Sequence, residues 1–432
     1  MNVRQLIPWL TYLLLFSLFF QTRFALFGKI HFIPYLIPFI YLSDLFIIFL
    51  GSLTVLNYFS QFKAFLQNLW QSNKHLLILW FLFLITAAFS NLQAQSPLIA
   101  WFTLLKVILF SFFALLISFF ISQKIVSFRN LWLSLNLGLL LESFIAIGEF
   151  ITKKSLGLQL LGEWQFSIFT PGIAKTIIFG QEFLRPYATF PHPNVLGTIM
   201  AILAIVNLYF FLAGLHPVQG ATLLADNLSN RKYHVLSLFF FLVFSLTTLL
   251  SFSRTAWFCY LTLILIILLI QKIPVVLKIL SGLLISITIV VLIKGILLHL
   301  NALPVSQRFD LSTASLRMIK NHPLGVGLSN FILHLQPFGS ILFPNRLFEP
   351  VHDLWLLVTA EAGIAGLIFF GTWFFLVLKK SFLHKNFSGL IMLLGIFLTS
   401  LTDHFWWSLQ PGLLFFWLTI GVVLAHSNPP NS

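Results

Sequence analysis

The reading of this chain turns on two neighbouring stretches, 308-RFDLSTASLRMIKNHPLGVGLSN-330 and 351-VHDLWLLVTAEAG-363. With the polar and aromatic residues between them, they carry Arg308, Arg317, Lys320, His322, His334, Arg346 and His352 in a chain that is only 8% charged. On either side the sequence is almost continuously apolar. Ionisable groups gathered at one face of a lipid-solvated protein are costly to keep there, so they mark a site before any motif is considered.

Outward from that interval the class is set by composition. The chain has 432 residues, 59% of them hydrophobic and 52 of them Phe. Apolar runs of about 20 residues recur along the whole length, as membrane-crossing helices require. The expected fold is an all-α polytopic membrane protein, and the runs are unbroken rather than alternating, which excludes a β-barrel. The formal net charge of +14 invites a nucleic-acid reading. The basic residues stand singly at span ends, with no basic domain to hold a duplex, so that reading is rejected. Cys259 is the only cysteine and falls inside a span, which leaves no disulfide within the chain and no thiolate metal site. The apolar run after Arg4 has no small-residue cleavage site before 21-QTR-23 and is read as a retained first span.

The length criterion places spans at 6–27, 36–56, 75–90, 98–122, 131–150, 191–213, 235–251, 255–271, 275–298, 351–378, 388–404 and 408–426, about twelve in all. The whole chain, 1–432, reads as one integral-membrane domain, with a large extracytoplasmic loop at 299–350 between the ninth and tenth spans and a disordered tail at 427–432. The charges of the short loops put the N-terminus inside. The segments at 28–35, 91–97, 151–190, 252–254, 299–350 and 405–407 then share the outer face. The long outer segments are also basic, and a phosphate-bearing substrate supplies a reason.

Four polar clusters interrupt the spans. In 182-EFLRPYATFPHPNVLG-197, Pro193 suits a first helical turn with His192 or Asn194 near the cap. Arg185 is there either a snorkelling side chain at a helix entrance or a phosphate ligand beside ordered backbone donors. In 251-SFSRTAWF-258, Arg254 begins a helix, where a cation opposes the macrodipole. It either reaches lipid headgroups or forms a phosphate cradle with the helix terminus. Residues 308–320 read as a short amphipathic helix stopped by Asn321-His322-Pro323, with a tight turn at Gly325 and Gly327. His352 and Asp353 start the tenth span, and Glu361, about 13 Å deeper, reads as an interhelical anchor. A histidine at a span mouth is by itself more often interfacial than catalytic. Nothing has metal-ligand spacing, and no Walker, HExxH or GxSxG motif is present in the sequence.

Taken in order, Arg185 with FPHPNVLG, then SRTAWF, NHPLGVGLSNF and VHDLWLLVTAEAGIAG resemble the O-antigen ligase/polymerase superfamily of membrane glycosyltransferases. The likeness covers about residues 185–370, and the first five spans match only in being apolar. One departure is Asp353, where the family often has Asn after the histidine. The resemblance implies the all-helical membrane glycosyltransferase C type of fold, shared with the peptidoglycan polymerases of shape and division. It implies transfer of a glycan from a polyprenyl-diphosphate carrier to an acceptor hydroxyl at the outer face of the cytoplasmic (inner) membrane. The transfer would be inverting and would need no metal or other cofactor. The family's two arginines map onto Arg185 and Arg254 as substrate ligands, and its essential histidine onto His352.

The chemistry of the residues agrees with that implication. A departing diphosphate gathers negative charge, which fixed guanidinium groups can stabilise. An acceptor hydroxyl needs a base of near-neutral pKa, and nearby cations are expected to push His352 down and keep it neutral. The expected partners are the bilayer, the lipid-linked donor and a lipid, glycan or protein acceptor, with no nucleic acid. Ligase-like transfer leads. A repeat-unit polymerase and a protein O-oligosaccharyltransferase are the alternatives, and a secondary transporter is the rival from another class. A transporter usually shows repeat symmetry and helices broken at the midplane, whereas here the polar groups crowd one face of one half.

Overall fold

The computed structural model describes residues 3–26, 34–178, 180–215, 231–270, 303–338 and 349–426. The expected ninth span at 275–298, Arg346, most of the inner loop at 214–234 and the tail at 427–432 lie outside them. Among the described residues six helices are long and apolar enough to cross a bilayer, and four shorter apolar helices accompany them. The polytopic helical class follows directly.

The order is α1 (Val3–Phe16), a ribbon of β1 (Arg23–Ala25) and β2 (Phe39–Tyr41), α2 (Leu42–Ser90), α3 (Pro97–Ser122) and α4 (Phe128–Thr152). A second ribbon, β3 (Lys175–Ile178) with β4 (Gln181–Leu184), precedes α5 (Pro193–Leu215), α6 (Arg231–Leu250) and α7 (Arg254–Ile270). Then come α8 (Leu303–Asn321), α9 (Leu354–Leu383), α10 (Phe387–Ser400), the single turn α11 (Phe405–Ser408) and α12 (Gln410–His426). Local chemistry sets many of these ends. Pro97 occupies the first turn of α3, where a missing N–H costs nothing. Ser127 caps α4 by accepting from the Asn130 amide at 3.2 Å. Every residue of α12 from Gln410 to Ala425 is buried, so this all-round apolar helix is the axis on which α3 and the rest pack.

The structure corrects several expected boundaries. The first span does not run to 27: α1 stops at Phe16, and the chain returns through β1, paired antiparallel with β2. The segment 57–74 between the second and third spans is helical, not a loop: within Leu42–Ser90 the helix breaks at Tyr58 and again at Asn73, close to the expected ends of the two spans. The α9 helix begins at Leu354, not at 351, because the Asp353 side chain is its cap, accepting from the Leu356 amide at 2.9 Å. The two short ribbons qualify the all-α description only in the connections.

The α9 helix is also broken, at Gly363 (φ 80°, ψ 174°). The turn of NHPLGVG fills the break. Val326 N donates to Ala360 O and Gly327 N to Glu361 O, both at 3.0 Å, while Ile364 N donates to Pro323 O at 3.0 Å. Backbone groups orphaned by the break are thereby satisfied inside the protein, as membrane burial demands. Glu361 accepts from the Trp407 indole at 2.9 Å, the interhelical anchor expected of it. Farther along the same turn, Leu328 N donates to Asn91 Oδ1 at 2.9 Å and Ser96 N to Asn330 Oδ1 at 2.8 Å. The segments around 91–96, 185–194, 251–255, 322–338, 349–353 and 401–408 thus meet at one end of the helix bundle.

Candidate functional site

Arg185 leaves β4 on a segment held down by two carboxylates from α4. Glu149 Oε2 accepts from the amides of Tyr187 (2.7 Å) and Ala188 (2.8 Å). Glu142 accepts from the Thr189 amide (3.0 Å) and hydroxyl (2.6 Å). Ala188 adopts φ 51° within this turn, a left-handed conformation that the anchoring hydrogen bonds over-determine. These amides are the ordered donors expected to assist a phosphate beside Arg185; they are already spent on carboxylates. The segment ends as anticipated, with Pro193 opening α5 and His192 Nδ1 accepting from the Asn194 amide at 3.1 Å.

The Arg185 guanidinium is itself engaged. Its Nε donates to Ser251 O at 2.8 Å, and Nη2 donates to Asn194 Oδ1 at 2.7 Å. It therefore bridges the 182–197 segment to the turn that carries Arg254. Burial, with the charges of Arg254 and Arg308 adding to it, lowers its pKa to about 10, still protonated at neutral pH. Arg254 is exposed at the start of α7, after Ser253, whose hydroxyl accepts from the Ala256 amide at 3.3 Å. Arg308 is exposed on α8, and its charge acts on both Arg185 and His352. The sequence reading named Arg308 only as part of a polar stretch. The structure makes it the third cation of the group.

His352 lies in the extended connection just before α9, half-buried, with its Nε2 3.4 Å from Glu349 Oε2 and its Nδ1 3.9 Å from Asp403 Oδ1. Burial alone would lower its pKa; the Asp403 and Glu349 carboxylates outweigh burial and the repulsion from Arg308 and raise it to about 9. The expectation that neighbouring cations hold His352 neutral is reversed here, because two carboxylates lie within 4 Å of its ring nitrogens. Asp353, the departure from the family pattern after the histidine, is occupied as the cap of α9. Asp403 is buried, yet the histidines around it hold its carboxyl well below the usual range. Its Oδ1 accepts from the His404 amide at 2.9 Å, and its Oδ2 accepts from Asn194 Nδ2 at 3.3 Å. Burial pushes His192 and His404 down to about 4, so both are neutral at pH 7. A continuous polar path therefore runs Arg185, Asn194, Asp403, His352.

Among the described residues His352, Asp403 and His404 bring one ligand atom each within 4.8 Å of one another. The donor set suits a divalent cation, a grouping the sequence spacing had not suggested. Both Asp403 oxygens already accept hydrogen bonds, His404 Nδ1 pairs with the Ser408 hydroxyl at 2.5 Å, and three guanidinium groups press on the region. That environment fits a protonated histidine between carboxylates better than a further dication. Asp403 and His404 were visible in the sequence only as the end of a span. An adjacent Asp-His pair returning to the same face as VHD was the signal that could have marked them.

Fold and site together define a polytopic helical membrane protein with arginines, a histidine and a buried aspartate gathered at one end of its helix bundle. Residues 239–371 match the family model described as O-Antigen ligase. This part of the chain, which includes Arg254, Arg308 and His352, is thus similar to the O-antigen ligase family. No curated protein matches the chain.

Proposed function

We propose that the protein transfers a glycan from a polyprenyl-diphosphate carrier to an acceptor hydroxyl at the outer face of the cytoplasmic membrane. The observation that supports this most is the convergence of Arg185, Arg254 and Arg308 beside His352, from four separated stretches of sequence. None of the three guanidiniums is hydrogen-bonded to a carboxylate among the described residues: Arg185 is engaged by Ser251 O and Asn194 Oδ1, so the positive charge of the group is available to an anion. In the proposed reaction the acceptor oxygen bonds to the anomeric carbon from the side opposite the diphosphate. The carbon–oxygen bond to the diphosphate breaks, the electron pair leaves on the phosphate oxygen, and the arginines stabilise it without a metal. The acceptor's proton passes to His352.

A second reading is favoured by the raised pKa of His352. Held as a cation, it would stabilise the leaving diphosphate rather than take a proton. The two assignments predict opposite pH dependence. A transporter receives little support: the helix break at Gly363 is filled by the protein's own backbone.

Ligase-like transfer to a surface glycan or lipid anchor leads over repeat-unit polymerisation and over transfer to protein. An inventory of surface glycans in a deletion strain tests this. Lipid-linked polymer should accumulate while the capped product disappears; accumulation of single lipid-linked repeats would instead identify a polymerase, and unchanged glycans would remove the reading altogether.

A further inference from the structure

Between its breaks at Tyr58 and Asn73, α2 contains a separate helix, residues 59–72. Its place follows from its flanks. Near the start of α2, Asp44 pairs with Lys106 of α3 at 2.9 Å and accepts from Gln410 Nε2 at 2.7 Å. Just past the end of α2, Asn91 Nδ2 donates to Ala100 O at 3.0 Å, and its Oδ1 accepts from Leu328 N. Both ends of α2 are thus held to the first half of α3, toward the site. The middle is not. Phe62 packs edge-on against Phe119 with centroids 5.1 Å apart, and Phe119 lies roughly 20 Å beyond Lys106 along α3 by the rise per residue. One flank of α2 therefore runs away from the site and the other returns, so residues 59–72 cross between them at the opposite end of the bundle.

This crossing helix has three faces. Phe62, Phe65 and Leu69 are buried, and both phenylalanine rings lie against Phe119. At about 100° per residue, the next stripe round the helix holds Phe59, Leu66 and Trp70, which are 65%, 37% and 48% exposed. The third face is polar, uncharged and exposed, with Gln61, Gln67, Asn68 and Gln71 on it. Lys63, also exposed, sits on the seam between the apolar stripe and the polar face. An exposed apolar stripe beside a polar face is the pattern of a helix lying in a membrane interface, and tryptophan and lysine belong at headgroup level there. The flanks are the spans expected at 36–56 and 75–90, so the stripe stands where those spans leave the bilayer. Charge selects among lipids. Residues 57–75 hold Lys63 and Lys74 and no acid, and the connections 123–130 and 379–387, which leave the same end of the bundle, are basic and free of acids too. Lys380 Nζ donates to Asn73 Oδ1 at the second break, which joins one of these basic segments to the crossing helix.

We propose that residues 59–72 lie in the plane of the leaflet farther from the site, with Phe59, Leu66 and Trp70 among the acyl chains and Lys63 on the phosphate of an anionic phospholipid. On the orientation read from the short loops this is the cytoplasmic leaflet, whose lipids carry the negative surface charge that such a lysine meets. The surface is independent of the transfer reaction, and its test does not read transfer. Full-length Cys259→Ala protein is placed in nanodiscs with an environment-sensitive fluorophore on Leu66→Cys or on Asn68→Cys. Phospholipid spin-labelled near the top of its acyl chain should quench the Leu66→Cys probe, and iodide should not. The Asn68→Cys probe, on the polar face, should show the reverse. At equal content, spin-labelled phosphatidylglycerol should quench the Leu66→Cys probe about fivefold more than spin-labelled phosphatidylcholine, the worth of one lysine at an anionic surface. Lys63→Gln should bring the two lipids together. The proposal is overturned if iodide quenches both probes alike, which would leave the helix in water. It is overturned if neither quencher reaches the Leu66→Cys probe, which would give the stripe to a second copy of the chain. Equal quenching by the two lipids while Lys63 is present overturns it as well.

Discussion

His352 Nδ1 faces Asp403 Oδ1 at 3.9 Å, beyond hydrogen-bond reach but close enough for charge attraction. With its pKa raised to about 9, roughly one His352 in a hundred is neutral at pH 7. If His352 is the base, the transfer rate should rise with pH until about 9. If it acts as a cation, the rate should stay nearly level up to about pH 8 and fall as pH rises through and beyond about 9. His352→Gln should bind donor normally and lose about 10²–10⁴-fold in rate as a lost base. A Gln variant retaining most activity would reduce His352 to a positioning role.

The same contact has a stability signature. His352 has a higher pKa in the folded protein than the ordinary 6.5, so its stabilising charge is fully present below 6.5 and lost as pH rises through about 9. The melting temperature in detergent should fall across that window. Asp403→Asn should flatten the fall. An equally steep slope in that variant would disconnect the titration from Asp403.

The arginines should separate by role. Lysine keeps the charge but loses the planar fork. Arg254→Lys and Arg308→Lys should leave abundance normal and reduce transfer about 10–100-fold, the worth of one or two charged hydrogen bonds. Arg185→Lys should lower transfer and also the melting temperature, because Arg185 holds Ser251 O and Asn194. Normal transfer in all three would return these residues to lipid anchoring.

Purified protein should transfer at an unchanged rate in excess EDTA. Loss of activity, rescued by magnesium, manganese or zinc, would instead seat a cation on His352, Asp403 and His404 and end the arginine-only account.

Sidedness is tested in a Cys259→Ala background. Thr313→Cys, exposed on α8, should react with an impermeant maleimide in intact cells, while Gln67→Cys, exposed between the two breaks in α2, should not. The reverse pattern would invert the topology and remove the donor-side argument.

Much of this arrangement was legible in the sequence, and the illegible part has a common cause. Apolar run length found most helices, and the Asn-His-Pro stop found the end of α8 within one residue. The two glycines after it signalled a tight turn, but not that Gly363 would break α9 to receive it. A Cβ on Gly325 would lie 2.4 Å from Glu361 O, and one on Gly363 2.6 Å from the backbone of Leu324. Such a contact between distant stretches leaves no periodicity behind. Asp403 and Glu349 were hidden in the same way: each is an unremarkable acid until the fold brings it against His352. The error about His352's charge followed from counting cations in a line of text and not acids in space.

Glu142 and Glu149 carry a consequence for how the protein is made. The helix that bears them leaves the ribosome before Tyr187, Ala188 and Thr189, whose amides they bind. A charged residue at the centre of an inserting helix costs roughly 2.5–3.5 kcal/mol; Glu142 lies well inside α4, while Glu149 stands in its last turn, where the cost is smaller. Until its partners are translated, α4 must either bear that cost or keep its acids protonated. The hydrogen bonds that relieve α4 of that cost are the same ones that hold the Arg185 segment, so one set of contacts both seats the helix and builds the site.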